Sequence, residues 1–274
     1  MKIKFDNPIK FSVTAVFAIF IAYIISIFIL AIFFRNLSLP YYVAPIAERY
    51  TLAVLRVIFS IPAIIFMGVV LKENGFKFAF SLKNSKQALF ACSALILWML
   101  TPTLHLFNMS GVDEGFFTMI LPIIAFQASS GIYEEVLFRG LFMTAILIKY
   151  SDTIKRRLLS VIISAVVFGL VHVDAGLFNV IGTALIGMGL GAVYLYSGNL
   201  IVLMIVHALW NILIQISNGL IVSVHNEFFL RVVQFMQPII LFAIIPAFAI
   251  FITIKAKPFP ETLSKFFKTK EVEM

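Results

Sequence analysis

The chain has 274 residues, 62% of them hydrophobic and only 12% charged, with a net charge of +8. Soluble domains run at ~45–50% apolar and ~25% charged, so the composition excludes an ordinary soluble enzyme and points to a helical protein that crosses a membrane repeatedly. The positive excess sits between the apolar runs, which argues against a nucleic-acid partner, and the single Cys92 lies inside such a run, which excludes a disulfide framework.

Taken in order, the apolar runs predict eight spans, at about 11–34, 51–71, 88–105, 116–148, 157–173, 177–196, 200–220 and 232–255. The first follows three lysines with no small-residue cleavage site after it, and reads as an uncleaved helix. Between the second and third spans, Lys72 to Lys86 alternates Phe76, Phe78, Phe80 and Leu82 with basic and polar residues, a pattern suited to anionic lipid. The fourth run is too long for one simple crossing; it either breaks near Ser129-Ser130-Gly131 or extends beyond the bilayer. Leu104 to Gly115 reads as a short external turn, and Gly182, Gly187, Gly189 and Gly191 as a close-packing face of the sixth span. Residues 256–274 read as a disordered cytoplasmic tail.

Lysine and arginine placement orients this plan. With the N-terminus in the cytoplasm, sixteen basic residues fall on the inner side and three, Arg35, Arg49 and Arg231, on the outer. The bias holds only for an even number of spans. The expectation is therefore an all-α polytopic membrane protein of about eight transmembrane helices, both termini cytoplasmic, forming one membrane domain over 1–274 with its functional motifs at 115–215. No internal repeat is evident, so an inverted-repeat transporter has little support.

Gly131 to Leu141 carries Glu134, Glu135 and Arg139 within apolar sequence. Each ionised group at the centre of a span costs roughly 2.5–3.5 kcal/mol on insertion scales. Glu135 and Arg139 stand at i, i+4 and can pair; Glu134 lies about 100° further round and has no partner on its own helix. A carboxylate so placed suits a proton acceptor and donor. Two histidines, His172 and His207, also fall inside apolar runs, and Asn211 and Asn218 extend a polar stripe from His207. Counted from Lys149 and Arg157, Glu134 and His172 both lie 15 residues in, about 22 Å at ~1.5 Å per residue, and can face each other. Counted from Gly198-Asn199, His207 is shallower, at about 12 Å. Duller readings apply elsewhere. Arg56 snorkels or meets an acid, His105 and His225 are solvated, and Asp174 orients His172 or ends its helix.

Glu134 with His172 can hold and deprotonate a water, while His207 and Asn211 donate to a developing oxyanion. That set suffices to hydrolyse a peptide bond without a covalent intermediate. No Gly-x-Ser-x-Gly elbow and no placed Cys nucleophile occurs. Glu134, His172 and His207 could instead hold Zn²⁺ with a water in the fourth position, although a His-Glu-x-x-His helix is absent.

Glu134-Glu135-Val-Leu-Phe-Arg139-Gly, Phe168-Gly-Leu-Val-His172 and His207-Ala-Leu-Trp-Asn211 together resemble the three motifs of the CAAX protease and bacteriocin-processing family (CPBP, or Abi), which includes the type II CAAX prenyl endopeptidases. The resemblance covers about 115–215. It implies an eight-helix intramembrane endopeptidase in the cell membrane, with a cavity open to the cytoplasm and a membrane-associated peptide or protein as substrate. It also implies that Glu134 and His172 activate water, that His207 and Asn211 stabilise the oxyanion, and that Glu135 and Arg139 support the site. The family is named for metalloproteases, and a metal-free glutamate mechanism is equally proposed for it. Two other readings stand beside it: a scaffold or bacteriocin-immunity factor of the same fold, and a proton-coupled transporter using the buried Glu and His. The Ile-, Lys- and Phe-rich composition resembles that of a low-GC bacterium, which favours peptide pheromones, bacteriocin leaders or membrane-protein segments over prenylated tails.

Overall fold

The computed structural model describes residues 7–36, 44–76, 82, 84–173, 176–219, 221–224 and 226–267. Phe78, Phe80, Asp174 and His225 lie outside them. Asn7 accepts hydrogen bonds from the Ile9 and Lys10 amides through its side chain and so starts α1 (Pro8–Asn36). Helix α2 (Ala44–Glu73) returns across the bundle. The third apolar run is bent by 66° between α3 (Ser85–Ala91) and α4 (Ser93–Phe107), with buried Cys92 at the break, where it packs as a small hydrophobe.

The long fourth run does not break at Ser129–Gly131. It continues from α5 (Phe116–Glu134) through a π-helical turn, Glu135–Met143, into α6 (Thr144–Tyr150), making a rod of 35 residues. The small residues serve packing instead. A Cβ on Gly131 would meet the Ala208 Cβ and amide nitrogen and the Met204 carbonyl, each at 2.9 Å, so α5 and α9 touch there backbone to backbone. The π turn lets Thr144 N–H bond the Arg139 carbonyl five residues back, and every residue of the turn is buried.

Helix α7 (Ile154–Leu170) begins at Thr153, whose hydroxyl accepts from the Arg156 amide at 3.3 Å. It is followed by α8 (Leu177–Ser197) and α9 (Leu200–Gly219). Helix α10 (Glu227–Ile239) then runs through a second π turn, Ile240–Ile244, into α11 (Ile245–Lys255). Among the described residues six helices are long and apolar enough to cross a membrane, or seven if the bent α3–α4 pair counts as one span. Helix α7, with 17 residues and a basic first turn, is the fifth predicted segment and falls just short. The architecture is that of an all-helical multi-pass membrane protein.

Two local expectations need correction. The turn predicted over Leu104–Gly115 holds a short strand, β1 (Met109–Val112), paired antiparallel with β2 (Ile221–Val224). The two loops leave neighbouring helix ends, and their backbone groups satisfy each other. The Asn108 side chain locks the base of this ribbon, donating to the Asn226 carbonyl at 2.9 Å and accepting from the Asn226 amide at 3.0 Å. The segment predicted as a disordered tail instead carries α12 (Phe259–Phe267). Phe259 and Leu263 are buried, Phe259 packs 5.1 Å from the Tyr194 ring, and its amide donates to Ser151 Oγ at 2.6 Å. A helix with one apolar face finds a partner surface on α6 and α8.

Candidate functional site

The π turn sits at the centre of the bundle, against α1, α2, α7, α8 and α9. Its first residue, Glu135, accepts from Arg139 Nη1 at 2.9 Å, and both side chains are fully buried. Arg139 also donates to the Gly187 carbonyl at 3.1 Å and lies with its guanidinium 4.3 Å from the Phe168 ring centroid. Gly187 permits this: a Cβ there would come within 2.9 Å of Phe168 and 3.4 Å of Arg139 Nη2. Thr144 Oγ1 donates to the Arg139 carbonyl at 3.0 Å and shares a 2.7 Å hydrogen bond with Tyr194. The anticipated Glu135–Arg139 pair thus exists within a block tied to α7 and α8.

His207, on α9, bonds Glu135 Oε1 through Nδ1 at 2.7 Å. A carboxylate can only accept, so Nδ1 carries the proton and Nε2 points away, toward Glu134 Oε2 at 3.6 Å. His172 is held likewise: its Nδ1 donates to the Phe168 carbonyl at 2.8 Å and its Nε2 lies 3.9 Å from the same Glu134 oxygen. The second carboxylate oxygen of Glu134 accepts from the Ser130 hydroxyl one turn earlier on α5. Glu134 is therefore not the unpartnered carboxylate that its own helix suggests. One oxygen is fixed, and the other faces two imidazoles.

These groups line a cavity of about 270 Å³ together with Asn211, Thr183, Gln127 and Arg56. His172 stands two residues beyond α7, in the turn that closes it, not within the helix. The apparent depth mismatch of His207 has a physical resolution. The α8–α9 turn is buried, with Ser197 and Asn199 at 0% and 1% exposure, and α3 covers it through Asn84 and Gln87, which donate to the Ser197 and Tyr196 carbonyls. Counting from that turn measured depth from inside the protein.

Several neighbours carry roles the sequence did not announce. Arg56 shares the cavity with Glu134 without a direct ion pair. Its Nε donates to the Tyr23 hydroxyl and its Nη1 to the Phe126 carbonyl, and it stacks 3.9 Å over the Phe126 ring while lining the cavity. The price of a charge within a span was the available signal. Gln127 bonds Gln215 at 2.8 Å, whereas Asn218, the far end of the predicted stripe, is exposed. His105, expected to be solvated, is half-buried and bonds Ser217 on α9.

Glu134, His172 and His207 were the candidate metal ligands. Among the described residues no group of three or more His, Cys, Asp or Glu side chains is disposed to hold a metal ion. His207 Nδ1 and His172 Nδ1 are engaged by Glu135 and Phe168, leaving one nitrogen from each ring at 3.6 and 3.9 Å from the carboxylate.

Residues 115–213 match the family described as type II CAAX prenyl endopeptidase, Rce1-like. The Rce1-like stretch begins just before α5 and ends within α9, so it contains Glu134, His172, His207, Asn211 and the π turn. It agrees with the resemblance of the three motifs, and it supports in general an intramembrane protease of the CAAX type acting on a membrane-associated substrate. Helices α1 to α4 and α10 to α12 lie outside the Rce1-like match. No curated protein and no solved structure matches the chain.

Proposed function

We propose that this chain is an intramembrane endopeptidase of the cell membrane that hydrolyses peptide bonds with a water activated by Glu134. The supporting observation is the convergence of Glu134 Oε2 with His172 Nε2 at 3.9 Å and His207 Nε2 at 3.6 Å around one cavity. A gap of 3.9 Å is too long for a direct hydrogen bond but admits a water about 2.8 Å from both atoms. The bare Nε2 of His172 accepts a hydrogen bond from one O–H of that water while Glu134 removes the proton of the other as oxygen attacks the scissile carbonyl. The new oxyanion takes hydrogen bonds from the Asn211 side-chain amide and from His207, whose Nε2 donates when the ring carries a second proton. Glu135, accepting from His207 Nδ1, holds the ring with Nε2 toward the cavity. When the C–N bond breaks, Glu134 returns its proton to the leaving amine. Ser130 keeps the carboxylate turned the right way throughout.

The test is cleavage by the purified protein in proteoliposomes, scored by mass spectrometry of membrane-associated peptides. Glu134→Gln keeps the shape and removes the base, so turnover should fall at least about 10²-fold while the unfolding midpoint is unchanged. Wild-type turnover in purified Glu134→Gln protein would sink the assignment of the base, and a wild-type protein that cleaves nothing would leave the scaffold or immunity role standing.

A further inference from the structure

We propose that the basic pocket between α12, the end of α11 and the start of α3 binds the phosphate of an anionic phospholipid headgroup. The pocket shares no residue with the Glu134 cavity, and Tyr196 is the one part of its lining that falls within the Rce1-like match. The site therefore does not depend on what that cavity does.

The fold builds the pocket where headgroups lie. Lys255 is the last residue of one membrane-length helical stretch, Glu227–Lys255, and Tyr196 is the next to last of another, Leu177–Ser197. Gln87, in the first turn of α3, donates through its side chain to the Tyr196 carbonyl at 2.9 Å and fixes one wall. Helix α12 forms the wall opposite. It buries Phe259 and Leu263 against α6 and α8 and leaves Glu261 and Ser264 exposed, the two faces of a helix seated at a membrane surface.

The charges inside are unbalanced. The pocket encloses about 460 Å³, within the ~300–1,000 Å³ of sites that hold small molecules. Lys255 and Lys257 line it against one carboxylate, Glu261. Among the described residues neither lysine pairs with Glu261 or with any other acid. Lys255 has instead the Phe251 ring, 6.0 Å away. Both lysines are exposed, as loading from a lipid surface requires. Thr262, at 7% exposure, lines the same space, and among the described residues its hydroxyl has no hydrogen-bond partner. A hydroxyl so enclosed is costly unless solvent or a ligand completes it.

Two ammonium groups without counterions beside one open donor describe an anion site. Lysine presents a compact point charge that suits phosphate oxygens, whereas the planar fork that selects a carboxylate belongs to arginine, and none lines the pocket. Surplus positive charge at helix ends favours a lipid of net negative charge over a zwitterionic one. A bound headgroup would tie α12 to α11 and α3.

The full chain in detergent micelles, titrated with phosphatidylglycerol or phosphatidylcholine and read by native mass spectrometry, tests this. Wild type should bind phosphatidylglycerol the more tightly. Lys255→Gln with Lys257→Gln should weaken that binding about tenfold or more. Lys10→Gln with Lys72→Gln removes two exposed lysines outside the pocket and should leave it nearly unchanged. Equal losses in the two double variants would reduce the effect to diffuse surface charge and overturn the site, as would a wild type that does not distinguish the lipids. Inorganic phosphate that displaced the lipid at equal concentration would assign the pocket to free phosphate and overturn the headgroup. Unfolding midpoints in lipid-free micelles check the fold of each variant. Thr262→Val keeps both lysines and the side-chain shape, so it decides the matter if the lysine variant misfolds: affinity should fall about threefold, and unchanged affinity would overturn the proposal.

Discussion

Glu134 and Glu135 are neighbours in sequence and belong to different regions of the molecule. Glu134 faces a cavity, with one oxygen held by Ser130 and the other toward two imidazoles. Glu135 faces a solid block, fully buried and bonded to Arg139 and His207. The turn of about 100° between consecutive helical residues divides the motif into a reacting half and a supporting half. His207 joins them, since Nδ1 bonds Glu135 and Nε2 faces Glu134 at 3.6 Å. Substitutions in the two halves should therefore separate activity from stability.

The largest expected effect is in the block. Arg139→Leu strands the Glu135 carboxylate without a guanidinium and should cost about 3–5 kcal/mol. Denaturant unfolding in detergent micelles measures it. Adding Glu135→Gln should recover part of the loss, because the buried charge is then gone. A single-variant loss below about 1 kcal/mol would show that the pair is not the centre of the block.

Gly131→Ala attacks the seam between the halves. The new methyl would meet α9 backbone at 2.9 Å, which cannot yield as a side chain can, so α9 must shift. A cost of about 1–3 kcal/mol is expected, with a fall in turnover, since Ala208 at the contact adjoins His207. Gly140→Ala is the control within the block. Its closest contact, at 2.6 Å, is the flexible Met67 sulfur, so stability should fall less and turnover should hold better than in Gly131→Ala. Equal losses of turnover in the two variants would remove the distinction.

Much of the site was legible in sequence because charge inside a span is costly and therefore noticeable. Glu134, Glu135, Arg139, His172 and His207 stood out for that reason, and the i, i+4 spacing announced the Glu135–Arg139 pair. Arg56 gave the same signal, but nothing local showed that its guanidinium would lie on Phe126 and border the cavity. Ser130 gave none, since a hydroxyl in a span usually bonds its own backbone. The π turn was invisible because it follows from five helices packing on one segment, not from the residues within it. Helix α12 was missed because a short stretch with several lysines looks solvated until α6 and α8 supply its apolar partner. Burial of the α8–α9 turn was equally a tertiary fact, and it alone accounts for the miscounted depth of His207.

Thr144→Val probes how the block transmits order to the site. The substitution keeps volume and removes the hydroxyl that bridges the Arg139 carbonyl and Tyr194. A loss of about 1–2 kcal/mol is expected, with Tyr194→Phe costing less because it leaves the Thr144–Arg139 bond intact. If the bridge positions Arg139, kcat should fall in Thr144→Val while KM stays near wild type, and Thr144→Ser should restore both. A structural role alone would lower the unfolding midpoint without moving kcat.

The smallest effect should come from the outer ribbon. Asn108→Ala removes both reciprocal amide bonds to Asn226, the polar tie between the ends of α4 and α10. Each such bond contributes about 0.5–1.5 kcal/mol net, and these are only half-buried, so the loss in micelles should lie near the lower figure. Because β1 and β2 would stay paired through their backbones, turnover of a short peptide should remain within about twofold of wild type. Should turnover instead collapse while the unfolding midpoint holds, the ribbon would have to be counted with the cavity as part of the path by which substrate enters, not with the scaffold around it.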